Sequence, residues 1–218
     1  MIGKGWTMFS LIGVLCTGIF LAVAGSVRGF KVLEHLDMRQ PYNNVAIIVL
    51  NILAFVIGGY LMQQYQFSSI VIIRNWILLY GLNILCLIDY QKRIIPNRAL
   101  MILLAARTLC LIVEVFLLPE HLEILISSLI GLVGGAALFL FAGIICKSSI
   151  GMGDVKLVAV TGYFLGFQVL MSTLIITMLL TLIGGIIVLI KAKQGLKTML
   201  PFAPFMMAGT LTAVLLGF

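Results

Sequence analysis

Residues 124–146, Ile124-Leu125-Ile126-Ser127-Ser128-Leu129-Ile130-Gly131-Leu132-Val133-Gly134-Gly135-Ala136-Ala137-Leu138-Phe139-Leu140-Phe141-Ala142-Gly143-Ile144-Ile145-Cys146, hold no charged side chain. About 20 mostly apolar residues are enough for a helix to cross the hydrocarbon of a bilayer. This stretch meets that length, and Gly131, Gly134 and Gly135 are small residues of the kind that let membrane helices approach closely. Working outward, the same pattern recurs at residues 7–27, 45–62, 70–88 and 99–118, twice more between Val155 and Ile190 with an ill-defined border around Phe167 to Thr173, and finally at 205–218. The first of these is too long for a signal-peptide core and lacks a good cleavage site, so it reads as a span. The expected fold is all-α: a polytopic membrane protein of about eight transmembrane helices joined by short loops.

Composition agrees with that reading. Of 218 residues, 62% are hydrophobic and 10% charged, with a mean hydropathy of +1.23, where a soluble domain carries roughly 45–50% and 25%. A soluble globule would have to expose much of that apolar surface, and disordered, collagen-like and disulfide-rich secreted classes are excluded with it. The chain reads as one integral membrane unit, with N-terminal spans in 1–81 around a short polar segment, 28–44, and a second part in 82–218. Segment 28–44 has the charges of a short amphipathic surface helix.

The net charge is +7, but the 14 basic residues are scattered through short loops without a patch interleaved with aromatics, so no nucleic-acid partner is expected. Counted loop by loop on eight spans, one side of the membrane receives eleven Lys and Arg and the other two, Lys4 and Arg74. The basic-rich side is the cytoplasmic one. Cys16, Cys86, Cys110 and Cys146 show no metal-ligand spacing and read as small buried hydrophobes.

Seven acidic residues remain. Glu34, Asp37, Glu120 and Glu123 lie in polar loops and read as solvated. Glu114 and Arg107 are seven residues apart in one span, share a helical face and read as an internal structural pair. Asp89 and Asp154 stand at span boundaries on the cytoplasmic side, Asp89 ahead of a loop containing Pro96 and Asp154 directly after Gly151-Met152-Gly153. Taken singly, Asp154 reads as a helix N-cap and Asp89 as a span-end anchor. Taken together, two carboxylates at one depth can share a proton, one then serving as general base on a water and the other as general acid. His35 and His121 fall on opposite sides of the membrane, which leaves a serine-type mechanism little support.

Asp89 followed by Ile94-Ile95-Pro96-Asn97, then Gly151-Met152-Gly153-Asp154-Val155-Lys156-Leu157, then Leu200-Pro201-Phe202-Ala203-Pro204-Phe205 with Ala208-Gly209, resembles the type IV prepilin peptidases, intramembrane aspartic proteases with a G-x-G-D motif. The resemblance covers about 82–209. It implies an endopeptidase that cuts the basic leader of a prepilin or pseudopilin where the leader meets a hydrophobic helix. It implies Asp89 and Asp154 as the catalytic pair. Gly151 and Gly153 match the glycines that shape the loop, Lys156 the motif's lysine, and Pro201 and Pro204 the Pro-Phe segment. The fold implied is a multi-pass protein of the inner (cytoplasmic) membrane with its site facing the cytoplasm, in contact with the lipid bilayer. Spans three, five and six, with their loops, would form that site. Many bacterial members carry two Cys-x-x-Cys pairs after the first span and also N-methylate the product. Segment 28–44 has no cysteine, so no metal and no cofactor are expected, and no recognisable methyl-donor site accompanies the resemblance. The rival class is a transporter or channel using Asp89 and Asp154 as a proton or cation site; a chain of acids across the bilayer would favour it. A non-catalytic pilus assembly factor would keep the same fold.

Overall fold

The structure, a computed structural model, describes Tyr60 and residues 68–119, 121–145, 150–192 and 200–217. Those residues form six helices: α1 (Ser69–Lys92), α2 (Asn97–Leu117), α3 (His121–Ile145), α4 (Met152–Leu165), α5 (Phe167–Ala192) and α6 (Ala203–Leu215). Helices α1, α2, α3 and α5 contain stretches of 21 to 24 residues long and apolar enough to cross a membrane. The expected first and second spans and segment 28–44 lie outside the described residues.

Two expectations are corrected. The sixth expected span is not a long helix: α4 has 14 residues, a rise of about 21 Å against about 30 Å of hydrocarbon. From Leu157 to Leu165 it is buried throughout, so it is enclosed by its neighbours. The border between the sixth and seventh spans is Gly166, at φ +80°, where a side chain would collide with Ser127 Oγ. Apolar sequence continues on both sides of that glycine, which is why hydropathy alone blurs it.

Asp89 also does not end its helix. α1 runs on to Lys92 and is closed by Arg93, a non-glycine residue at φ 53° whose N–H donates to the Asp89 carbonyl at 2.8 Å. Pro96 holds extended backbone and starts α2, as a proline without an N–H can.

Between α3 and α4 the helices meet backbone to backbone. A Cβ on Gly131 would strike the Gly162 carbonyl, and one on Gly162 the Gly131 carbonyl; a Cβ on Gly135 would lie 3.1 Å from the Val158 carbonyl. Lipid is as apolar as a leucine, so close van der Waals contact of this kind is what holds membrane helices together. The expected role of Gly131 and Gly135 is observed, and Gly134 faces the Phe167 ring.

The Arg107–Glu114 pair is present and extends further than the sequence suggested. Arg107 is fully buried; Nη1 donates to Glu114 Oε2 at 2.7 Å, Nη2 to Ser128 Oγ at 2.8 Å and Nε to the Tyr163 carbonyl at 2.8 Å. Arg74 of α1 reaches Glu114 Oε1 at 3.3 Å. One polar cluster thereby ties α1, α2, α3 and the last turn of α4, with each of the three Arg107 guanidinium nitrogens donating once.

Candidate active site

Four helix ends converge at one end of this bundle: the C-terminus of α1 and the N-termini of α2, α4 and α6. Asp89, in the last turn of α1, is only 5% exposed. Its Oδ2 accepts a hydrogen bond from the Ala203 backbone N–H at 2.9 Å. Ala203 is the first residue of α6, and Phe202 ahead of it supplies no side-chain cap. The first N–H groups of a helix have no partner inside it, and they carry partial positive charge. Asp89 therefore caps α6 from 114 residues away, and the free N–H groups of α6 give a buried carboxylate a place to hold its charge.

Asp154 comes from the facing helix. The expectation that it forms the N-cap of α4 is corrected: Gly151 is the cap, and Asp154 is the third helical residue, its N–H donating to the Gly151 carbonyl at 3.0 Å. Its carboxylate lies back over the cap, so that a Cβ on Gly151 would sit 3.3 Å from Asp154 Oδ2. Burial and then the charge of Asp89 push the Asp154 carboxyl up to about 6, against a smaller opposing effect of the Gly151 backbone N–H. The continuously buried run of α4 begins three residues later, at Leu157, so Asp154 stands at its mouth.

Both carboxylates line one open cavity of about 530 Å³. Of the residues named from sequence, Gly151, Gly153, Lys156 and Pro201 line it too. Pro96 and Pro204 do not: Pro96 starts α2, with Ile95 and Asn97 beside it reaching the cavity, and Pro204 occupies the first turn of α6. Lys156 Nζ donates to Asn97 Oδ1 at 3.0 Å, which ties α4 to the start of α2. Gly153 passes so close to Ile95 that a Cβ would be 3.2 Å from the Ile95 Cβ. The fifth span contributes through the segment that follows it, from which Gly151 and Gly153 line the cavity. No residue of α3 lines this cavity, whereas the segment leading into α6 does, through Leu200, Pro201 and Phe202. Asn97, Arg93 and the Ala203 amide were not singled out from sequence. Asn97 follows Pro96 directly in a motif already quoted, and only its contact with Lys156 gives it a role. Among the described residues no three His, Cys, Asp or Glu side chains gather in a way that could hold a metal ion.

Fold and cavity together define a class, an all-helical integral membrane protein that presents two carboxylates to one water-accessible cavity at the end of its bundle. The chain belongs to the type IV leader peptidase family, whose pattern it matches over residues 76–189, more than half of its length. It is similar to the prepilin leader peptidase/N-methyltransferase of Bacillus subtilis, 33% identical over 140 residues, which are 62% of this chain and 52% of that protein. It is also similar to proteins of the same name from Stutzerimonas stutzeri, 28% identical over 222 residues (98% of this chain, 68% of that one), and Pseudomonas aeruginosa, 27% identical over 206 residues (91% and 64%). The chain thus spans from about half to two thirds of the length of these relatives. No solved structure matches it.

Proposed function

We propose that this chain is an aspartic endopeptidase that removes the basic leader from a prepilin or pseudopilin at the cytoplasmic edge of the inner membrane. The observation that carries the reading is the single cavity shared by Asp89 and Asp154, in a member of a leader peptidase family. On this reading the unit at 82–218 is catalytic within one integral membrane protein, and the lysine- and arginine-rich loops face the cytoplasm.

The two carboxylates differ in a way that assigns their roles. Asp89 is anchored by a helix-terminal N–H, and Asp154 is pushed up to about 6 and on this reading carries the shared proton. Asp89 takes a proton from a water lying between them as that water attacks the scissile carbonyl. Asp154 donates a hydrogen bond to the carbonyl oxygen, and its proton, or the one Asp89 has taken, goes to the leaving amine as the C–N bond breaks. The substrate backbone must be extended at that point, because a helical peptide bond is enclosed in its own hydrogen bonds. The transporter reading loses ground because Glu114, the acid that would continue a path across the bilayer, is held between Arg107 and Arg74.

The direct test is cleavage of candidate leaders by the purified full chain, with mass spectrometry of the new N-terminus; the same mass reads any methyl group added. Cleavage at the leader junction is expected, and no cleavage of any prepilin-like substrate would overturn the reading.

The proton assignment has a pH signature. Activity needs Asp154 protonated, so single-turnover rates are expected to fall as pH rises through about 6, approaching tenfold per pH unit above it. The sign for stability is the same: with its proton held more tightly in the fold, Asp154 favours folding at low pH, and this contribution is lost between about 3.8 and about 6. Asp154→Asn is expected to flatten thermal stability across that window, and an unchanged profile would contradict the assignment.

Gly153→Ala would force α4 away from Ile95 by a few tenths of an ångström. Misplacement of a reacting group on the ångström scale costs about a hundredfold, so a loss of roughly tenfold in cleavage is expected here. Ile95→Gly removes the Ile95 Cβ that makes the tight contact, and should recover part of that loss in the double variant. Full activity of Gly153→Ala alone would show that the spacing is not critical.

A further inference from the structure

A second hollow, about 470 Å³, lies beside the carboxylate cavity and is lined by apolar residues alone. Its walls are Leu140 and Ile144 on α3 and Met152 and Val155 on α4; Phe139 lies at its base. Two contacts join it to the first cavity. Met152 lines both, and the Phe139 ring packs on Phe202 of the first cavity at 5.4 Å between centroids.

Gly143, which also lines the hollow, differs from the other glycines of α3. Side chains at Gly131, Gly134 or Gly135 would collide with α4 or with Phe167 or Leu170 on α5, whereas a Cβ on Gly143 would meet nothing nearer than Ile150 Cβ at 3.8 Å. Packing within the described chain does not require a glycine there. What the missing side chain leaves is an open trough, beside which Ile144 and Met152 are 76% and 62% exposed. In a bilayer lipid competes equally for apolar side chains, so a helix is held by close approach over small residues. A glycine-floored trough bordered by Leu, Ile and Met suits an apolar α-helix. From Phe139 to Ile144 it extends about 7.5 Å along α3, enough for about a turn and a half.

The geometry points to this trough as the docking site for the first turns of the substrate's own apolar helix, immediately C-terminal to the bond that is cut. The inference rests on the peptidase reading and adds the subsite. Continuity fixes the occupant: a chain whose scissile bond lies between Asp89 and Asp154 passes Met152 on leaving the cavity and enters the trough, with its polar leader on the open side. Ile144 and Leu140 touch residues +1 onward, Gly143 lets that helix approach, and Phe139 closes the base.

The test uses the full chain in liposomes, carrying Asp89→Asn and Asp154→Asn so that nothing is cleaved. The probe is a single-span peptide with a short basic leader followed by about 20 apolar residues. A photo-crosslinking residue is placed at Ile144 or Leu140, or at Met101 as a control, which is 66% exposed one turn into α2 and lines neither cavity. Adducts to the first two turns of the peptide's apolar segment are expected at Ile144 and Leu140, with about tenfold less at Met101. Equal labelling at Met101, or adducts at Ile144 only to lipid or to this chain's own residues 1–59, would overturn the inference. In the active chain, Gly143→Leu fills the trough and is expected to raise KM about tenfold with kcat little changed, the mark of lost ground-state binding. An unchanged KM counts against it. Failure of the peptidase reading would look different, as no cleavage of any prepilin-like substrate by the active chain whatever the adduct pattern.

Discussion

Cleavage of a prepilin-like substrate is expected to fall by about 10³-fold or more in Asp89→Asn and again in Asp154→Asn, while both variants insert and fold. Asparagine is the informative replacement at each position. At Asp89 its side-chain oxygen can still accept the Ala203 N–H that anchors the start of α6, so the end of the bundle stays closed. At Asp154 an amide oxygen can still lie back over Gly151. What each amide loses is the ability to take up or release a proton. Two groups that hold one proton between them act as a unit, so the double variant is expected to be no slower than the worse of the two singles. The measurement is single-turnover cleavage of one substrate at about pH 6, with folding checked by thermal unfolding. Full activity in either single variant would refute a mechanism that needs both carboxylates. Multiplying losses in the double variant would mean that the two act in separate steps.

The parts of this site that were legible in the sequence are those marked by a change in polarity. Asp89 and Asp154 stand out because a charge interrupts an apolar run, and loop-by-loop charge places them on one side. Hydropathy records where a chain leaves the membrane and not where a helix stops. Tyr90, Gln91 and Lys92 therefore read as loop although α1 continues through them until Arg93 turns the backbone left-handed. The Ala203 N–H that holds Asp89 is invisible for a different reason. It is a backbone group, present at every non-proline residue, and only the approach of two helices 114 residues apart gives it a role. Gly166 was hidden by the continuity of the apolar residues around it. Arg74 read as an edge charge because its partner, Glu114, is 40 residues away on another helix, beyond any spacing rule.

Removing Arg107 is expected to be the most damaging single change to stability in the described part of the chain. Arg107→Met keeps much of the length and apolar stem but leaves Ser128 Oγ and the Tyr163 carbonyl without the donor they now face, and leaves Glu114 with Arg74 alone at 3.3 Å. Breaking a buried ion pair from one side costs about 3–5 kcal/mol, because the remaining charge is stranded away from water. Arg107→Lys is expected to be only partly better, since one ammonium cannot reach three partners set out around a planar guanidinium. The companion change is Glu114→Leu. Alone it is expected to be damaging as well, but combined with Arg107→Met it removes both buried charges and should recover much of the loss. Arg74 then remains as a lone cation near the start of its span, from where its long stem can carry the guanidinium toward the interface. Thermal unfolding of the four proteins in one detergent gives the coupling energy directly. Additive losses, or an Arg107→Met variant within about 1 kcal/mol of the parent, would show that the cluster is held by packing and not by its charges. Function enters through α4: Arg107 grips the last turn of the helix whose first turn carries Asp154, and Lys156 with Asn97 grips its start. A variant that frees the far end of α4 while the bundle stays folded is therefore expected to lose cleavage rate with little change in KM, because Asp154 is then positioned less well at the moment of proton transfer.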